Sequence, residues 1–454
     1  MKILVAGCGK VGRTLAQALA EEGHDLTLID NNARVLSSCV EKYDVMAVQG
    51  NCASMTTLEQ ASAADADLLI ACTGSDELNL LCCMTAHVMN AKLHTIARLR
   101  NPEYADQAYA MRNAFGLSML FNPEYDTAEE IARLLKYPGF LKRDSFAKGR
   151  VEIVELKVEK DSKLCNVPLM NLNGIVKCRV LVCSVVRDGK AVMPDGRFVL
   201  QEEDRIFVTA PSDALATLLK NLGVVSRKVR RVLIAGGGTV SYYLAEALEN
   251  MGMDIRIVEK NPERCVELSG LLPHATIIHG DAGDHAGLDS HGIIHSDALI
   301  SLTGIDELNM IISLYGNSYE IPHIITKIGR MGADAKVTDR LPLGSVISPR
   351  TLCCNKIVRY VRAMQNQNGA AVSVHSIAEG HAEAVEFLVD EHTLHCGTPL
   401  KQIRLRENVL LVSISHGKSI EIPNGDSCFH PGDTVVVVVR KGTVILQLND
   451  IFEH

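Results

Sequence analysis

Two stretches of this chain are copies of one another. KILVAGCGKVGRTLAQALAEEGHDLTLID runs from Lys2 to Asp30, and RVLIAGGGTVSYYLAEALENMGMDIRIVE runs from Arg231 to Glu259. Gly7 is matched by Gly236 and Asp30 by Glu259, both 229 residues further on, with no gap inside the copies. A long self-similar segment fixes the architecture before any single element is read, because whatever unit the first copy builds must be built again. Each copy has an apolar run of strand length, a glycine loop, a helical pattern (Val11, Leu15, Ala18 and Leu19 in the first) and a second apolar run, which reads as a β-α-β unit.

The loop carries the chemistry. Gly7-Cys8-Gly9-Lys10-Val11-Gly12 follows a strand and opens a helix, as a dinucleotide-binding turn requires. Gly7 permits the tight turn, Gly9 lets backbone amides approach a pyrophosphate, and Gly12 lets the helix lie close to the strand. Asp30, at the end of the second strand, is placed to accept hydrogen bonds from adenosine ribose hydroxyls, and its charge disfavours a 2′-phosphate, so NAD is expected over NADP. The second copy, Gly236-Gly237-Gly238-Thr239-Val240 with Glu259, has Ser241 at the third glycine and Thr239 at the lysine. A second nucleotide site on a slightly displaced turn is expected there, with a folded but empty or differently selective pocket as the alternative.

Further patches repeat. ACTGSDELN at 71–79 answers SLTGIDELN at 301–309, one residue having been inserted between the copies. Thr73-Gly74 and Thr303-Gly304 follow strands and are expected to line the nucleotide pocket at the carboxyl ends of the sheets. The acids after them read equally well as helix N-terminal charges. Arg98 and Lys327 recur after the next strand and could each reach a phosphate or a neighbouring domain. The helix at 126–136, with Ile131, Leu134 and Leu135 as an apolar stripe, and its counterpart at 352–364 are expected to serve in dimerisation.

From 151 onward the texture changes to short strands, VEIVELKV, RVLVCSVV and RIFVTA, broken by RDGK and PDGR turns. This smaller module also recurs, with Pro194-Asp195-Gly196 answered by Pro423-Asn424-Gly425 and Asp204 by Asp433. The expected fold is therefore α/β: two doubly wound Rossmann-like domains, at 1–125 and 230–350, each followed by a linker helix and a small α+β lobe, at 126–225 and 351–454. The basic run SRKVRR at 226–231 reads as a solvated linker.

Composition narrows the function. Forty-six Lys and Arg against 54 Asp and Glu leave a net charge of −8, which argues against a broad nucleic-acid or anionic-lipid footprint. No apolar run is long enough to span a bilayer, since TVVVVV at 434–439 is of strand length. Fourteen cysteines without a C-x-x-C read as reduced core residues. The histidines at 274, 279, 285, 291 and 295 have no equivalents in the first copy and sit in a loop-like HGIIHSD context, and HTLHC at 392–396 reads as a loop beside a strand, so no metal site is assigned. Neither repeat contains a YxxxK pair, a Ser-His-Asp arrangement or a larger catalytic domain, so no catalytic residue is named and the chain is not expected to be an enzyme.

The order of large and small lobes, with the glycine loops, terminal acids, Thr-Gly pairs and Arg98/Lys327, resembles the regulator-of-potassium-conductance (RCK, or KTN) domains over essentially the whole chain. It departs from them at Gly50-Asn51, where Gly280-Asp281 in the second half keeps the common acid, and at Ser241. The resemblance implies a peripheral subunit on the cytoplasmic face of the membrane, a homo-oligomeric ring of such domains, NAD(H) as ligand with ATP or ADP as further candidates, and a membrane potassium transporter of the Trk type as partner. An NAD-dependent oxidoreductase with an unrecognised catalytic group, or a scaffold with degenerate pockets, are the competing expectations.

Overall fold

In the computed structural model the described residues are 1–454 except 102, 105–106, 108–109, 137–141, 147–149, 161, 223–228, 285–287, 290–291, 330–340, 366–370, 379–380, 418, 441–442, 444, 446 and 454. His285, His291 and residues 226–228 of the basic run at 226–231 lie outside them. The chain divides into two units: one joins Met1–Ala132 to Arg230–Val358, the other Arg133–Val229 to Arg359–His454.

In the first unit, strands β1 (Lys2–Ala6), β2 (Asp25–Asp30), β3 (Met46–Gln49), β4 (Leu68–Ala71), β5 (His94–Arg98) and β6 (Met119–Phe121) form a parallel sheet in the order 3-2-1-4-5-6. Ile3 to Ala6 and Leu68 to Ala71 are buried throughout, as expected of central strands covered by helices on both faces. β12 (Arg231–Ala235), β13 (Asp254–Glu259), β14 (Thr276–His279), β15 (Ala298–Ser301), β16 (His323–Lys327) and β17 (Ser345–Ile347) repeat the same order. This is the doubly wound arrangement whose ligands sit beyond the carboxyl ends of the strands, where the order reverses. The short edge strands β6 and β17 have no clear sequence signal.

The two glycine turns are solved differently. A Cβ on Gly12 would lie 1.9 Å from the Gly7 carbonyl oxygen and 3.2 Å from Cys72 Sγ, so the first turn has no room for a side chain. The Cys72 thiol donates to that carbonyl at 3.2 Å, and burial, pushing its pKa up to about 12, keeps the proton in place. In the second half Leu302 stands at the Cys72 position, and the hydroxyl of buried Ser241 donates to the Gly236 carbonyl at 2.5 Å. The donor has moved from strand end to helix while the carbonyl keeps its partner.

The helix expected at 126–136 begins earlier, at Pro123, because the Asn122 side chain, not Asp126, accepts from the first free amides, those of Glu124 and Tyr125, at 3.1 and 3.0 Å. Its counterpart spans Pro349–Gln365. Ile131, Leu134 and Leu135 are at most 4% exposed, so the stripe expected to need a second copy is covered within one chain. The two α/β lobes are tied by these helices. Tyr243 donates to the Arg100 carbonyl at 2.7 Å, accepts from Asn122 at 3.1 Å and meets the Tyr125 ring edge-on, while Lys356 pairs with Asp126 at 2.7 Å.

The second unit holds two antiparallel sheets. One has β7 (Lys142–Phe146), β8 (Val151–Lys157), β9 (Leu181–Arg187), β10 (Lys190–Val192) and β11 (Arg205–Pro211) in the order 10-9-11-8-7. The other has β18 (Ala371–Ile377), β19 (Ala382–Leu388), β20 (Val409–His416), β21 (Ser419–Glu421) and β22 (Thr434–Arg440) in the order 18-19-22-20-21. Asp188 and Gly189, with φ of 52° and 71°, make the tight hairpin turn that RDGK predicts. One apolar cluster runs from Phe146, Ile153 and Phe207 to Ile377, Val412 and Val438, so the two sheets share a core. No helix among the described residues is long and apolar enough to cross a membrane.

The Gly12 and Ser241 solutions should respond differently to substitution. Gly12→Ala should destabilise its lobe by about 1–3 kcal/mol through overpacking, whereas Ser241→Ala should cost about 1 kcal/mol, the worth of one buried hydrogen bond. Hydrogen exchange of β1 and β12 during urea titration measures each lobe separately.

Candidate nucleotide-binding cleft

Both glycine loops open on one cleft of about 1220 Å³, which lies inside the first unit and is lined by both halves of the repeat. A small-molecule pocket commonly spans about 300–1,000 Å³, so the cleft is large enough for a dinucleotide or for more than one smaller ligand.

In the first half the Gly7 amide donates to the Ile29 carbonyl at 2.8 Å, and Gly7, with φ of 96°, is pressed against the Thr73 backbone. Gly9 precedes the helix Lys10–Glu21 and supplies no side-chain cap. The first turn of that helix therefore offers amide donors and a positive dipole end to an anion. A Cβ on Gly9 would meet nothing within 4 Å, and the same holds for Gly74. Asp30 accepts from the Cys8 amide at 2.7 Å and the Asn32 amide at 2.9 Å. The acid thus holds the loop shut against the sheet while it lines the cleft beside Asn31, Gly50, Asn51 and Cys52.

In the second half Gly236 has φ of 102°, Gly238 precedes the helix Thr239–Asn250 with no side-chain cap, and a Cβ on Gly238 or Gly304 would again meet nothing within 4 Å. Glu259 accepts from the Gly237 amide at 2.6 Å and the Asn261 amide at 2.7 Å, repeating the brace. Its surroundings differ. Lys260 pairs with Asp281 at 2.7 Å, and Arg264 donates to the Gly237 carbonyl at 2.8 Å. Neither Glu259 nor the Gly280-Asp281 pair lines the cleft, in contrast with Asp30 and Gly50-Asn51.

Of the residues expected from sequence, Gly7, Gly9, Lys10, Val11, Asp30, Thr73, Gly74 and Arg98 line the cleft from the first half, and Gly238, Thr239, Val240, Gly304 and Lys327 from the second. Cys8, Gly12, Gly236, Gly237, Glu259 and Thr303 stand behind them, shaping the turns. The two threonine hydroxyls are taken up by the protein: Thr73 donates to Asn79 and Thr303 to Asn309, both at 2.7 Å. Asn79 in turn donates to the Arg98 carbonyl at 2.9 Å and Asn309 to the Lys327 carbonyl at 3.0 Å. These two buried asparagines fasten the β4 end to the β5 end in the first half and the β15 end to the β16 end in the second. Sequence reasoning assigns them no role, although they close the repeated Thr-Gly-x-Asp-Glu-Leu-Asn patch. The acids of that patch brace the following loop, with Asp76 accepting from the Arg100 and Asn101 amides at 2.8 and 2.9 Å and Asp306 from the Gly329 amide at 2.9 Å.

The basic residues are not equivalent. Arg98 pairs with Glu124 at 2.8 Å, in the first turn of the helix Pro123–Lys136. Lys327 donates to the Leu302 carbonyl at 3.2 Å. Burial holds its ammonium below the ordinary lysine value, with Lys10 from the other half adding to the effect and Asp306 and Glu124 opposing it. Arg350 stands on the cleft where Glu124 stands in the first half, and Asp306 and Glu307 line it as well, so each half brings two cations and two carboxylates.

The TrkA-N domain model matches residues 3–122 and 232–349, and the TrkA-C domain model matches 153–223 and 384–451. The chain is 31% identical to a Trk system potassium uptake protein TrkA homolog of Archaeoglobus fulgidus, over all of both chains. It is 29% identical to the Trk system potassium uptake protein TrkA of Vibrio alginolyticus, over all of this chain and 99% of that one. Among solved structures, the GsuK RCK domain superposes with a TM-score of 0.61 at 17% identity, covering 97% of this chain and 92% of that one. The GsuK channel bound to NAD gives 0.62 at 17% identity, covering 97% and 77%. The fold is that of paired RCK domains, and the chain belongs to the TrkA family, built from TrkA-N and TrkA-C domains in tandem duplicate.

Proposed function

We propose that this chain is the NAD(H)-responsive regulatory subunit of a Trk-type potassium uptake system, acting from the cytoplasmic face on a membrane potassium transporter. The observation that carries the reading is the convergence of two open helix N-termini, Asp30, Arg98 and Lys327 on one cleft. The family membership supplies the transport context, and the GsuK fold neighbour has been solved with NAD. In the first half a pyrophosphate fits the amides after Gly9, with the adenosine ribose against Asp30. The second half presents Thr239, Lys327 and Arg350 together with Asp306 and Glu307, and its two cations suit a phosphate group, so ATP or ADP are the alternative ligands.

The chain is read as a binder because its relatives are named as potassium uptake proteins and because Asp30, Arg98 and Lys327 on the cleft are each held by the chain's own groups. Tyr243, whose pKa burial pushes up to about 12, has its hydroxyl bonded to the Arg100 carbonyl. Regulation would follow from a differential affinity of nucleotide for two arrangements of the lobes. Pro123-Glu124 and Pro349-Arg350, the starts of the two helices that run on into the second unit, line the cleft, so a ligand touches both. A ring of copies beneath the transporter would carry the change.

Titration calorimetry with NAD, NADH, ATP and ADP tests the site. Gly9→Val should abolish NAD binding and leave thermal stability nearly unchanged, because a Cβ there enters the open cradle and meets nothing within 4 Å. Asp30→Ala should lower affinity by about 1–3 kcal/mol, the worth of charge-assisted hydrogen bonds, while Glu259→Ala should change it much less. Equal effects of the two would place the ribose wrongly. In cells lacking the protein, wild type should restore potassium uptake and Gly9→Val should not. Steady turnover of NADH with any of a panel of carbonyl compounds would remove the regulatory reading.

Lys327 gives a sign-specific prediction. The folded chain binds its proton less tightly than the unfolded chain, so the charged lysine costs stability at neutral pH, a cost that disappears as pH rises to the ordinary lysine value. Lys327→Met should therefore raise the melting temperature of the ligand-free protein and shrink the further rise produced by nucleotide, as scanning calorimetry would record.

A further inference from the structure

The two small lobes differ at one point where the repeat would make them alike. In the first, Asp204 is buried and held by a bidentate pair, Arg187 Nε to Oδ1 and Nη2 to Oδ2, both at 2.7 Å, and it also accepts from the Gln201 amide at 2.8 Å. In the second, Asp433 takes the place of Asp204, also buried, and accepts from the His430 amide at 2.8 Å. Every other partner has changed. At the same spacing of 229 residues Arg187 has become His416, Gln201 has become His430, Val199 has become Cys428 and Val192 has become Glu421. A fixed cation and three residues that bind no metal have been exchanged together for two imidazoles, a thiol and a carboxylate.

The strands bring the new set to one spot. His416 ends β20, Glu421 ends β21 and Asp433 precedes β22. One ligand atom each from His416, His430 and Asp433 lie within 4.8 Å of one another. His416 Nδ1 is 2.8 Å and His430 Nδ1 3.8 Å from the same oxygen, Asp433 Oδ2. On its other side His416 Nε2 faces Glu421 Oε2 at 3.4 Å, and the second Glu421 oxygen accepts from the Ser427 hydroxyl at 2.5 Å. Cys428 Sγ lies 3.9 Å from His430 Nε2. We propose that His416, His430 and Asp433 form a binding site for a borderline divalent metal ion of the zinc type, specific to the second small lobe.

Three arguments favour the ion. A buried carboxylate needs a compensating positive charge, and the arginine that supplies it in the first lobe is gone. The ion would replace the proton now shared between His416 Nδ1 and Asp433 Oδ2, with the ligand side chains drawing in to the roughly 2.0–2.2 Å of zinc–nitrogen and zinc–oxygen bonds. Glu421 on the far nitrogen of His416 is the carboxylate that commonly orients a metal-bound imidazole. Two imidazoles with one carboxylate suit zinc or its transition-metal neighbours, whereas calcium and magnesium call for oxygen ligands throughout. The three protein ligands leave a fourth position for water. The separation of these residues by 14 and three positions, on strands and their turns, hides the set from any sequence spacing rule.

The test uses the full chain, free of affinity tag, titrated with zinc chloride in a calorimeter and with cobalt chloride in a spectrophotometer. His416→Arg and His430→Gln each install the residue of the first lobe, so they should fold. Wild type should bind one more equivalent of zinc per chain than the double variant, give cobalt bands of low-symmetry coordination, and gain melting temperature with zinc. Each single variant should weaken binding by about tenfold or more, and His416→Arg should be as stable without zinc as wild type is with it. Removal of His274 and His279, elsewhere in the chain, should change nothing. Absence of zinc binding by the wild type, or equal zinc equivalents in wild type and double variant, would overturn the proposal.

Discussion

The acid that ends the second strand of each α/β lobe holds the rest of the site in place. A glycine-rich loop has few side chains to fix it, and its amides serve a ligand only if they point outward in one conformation. Asp30 and Glu259 meet that need by accepting the Cys8 and Gly237 amides, fastening the loop to the neighbouring strand before any ligand arrives. Charge-assisted hydrogen bonds of this kind are short and strong. They also decide what remains for the ligand, since part of each carboxylate's acceptor capacity is already occupied by the protein.

From that shared brace the two halves diverge. In the first, Asp30 stays on the cleft with Gly50 and Asn51 beside it, leaving room for a nucleoside. In the second, the Lys260–Asp281 pair and Arg264 lie beside Glu259, and the cleft is lined instead by Thr239, Asp306, Glu307, Lys327 and Arg350. Duplication has thus kept the turn and altered the chemistry. The same happened in the small lobes, where a structural Arg–Asp pair in one became a His–His–Asp cluster in the other.

Much of this was legible in the sequence because it is local. The glycine loops, their helices and the strands before and after them follow from periodicity and turn chemistry over short stretches, and TVVVVV becomes β22 as its length requires. The hairpins of the small lobes are also local consequences. What was not legible depends on distance in the chain. The Asn79 and Asn309 braces join a helix to the end of the next strand, and polar residues inside a repeated motif give no sign of which one is buried. The early start of the helix at Pro123 turned on the Asn122 side chain reaching the Glu124 and Tyr125 amides, a contact that periodicity does not show. That the two glycine loops share one cleft could not be read at all, because nothing in a repeat says whether its copies face each other.

The shared cleft gives the ligand leverage through charge at helix starts. Glu124 sits in the first turn of its helix, where a negative charge is favourable, and is paired with Arg98. A phosphate that takes Arg98 frees Glu124 without stranding it, since the helix end still favours it. Arg350 occupies the corresponding first turn in the second half and lines the same cleft. An anionic ligand that meets Arg98 would therefore act on one helix start, in a cleft that also reaches the other. Both helices continue past the division between the two units, at Ala132 and Val358. A differential of about 1–3 kcal/mol between two arrangements is the usual scale of allosteric coupling, and a change of charge pairing at a helix start is of the size that the helix dipole supplies.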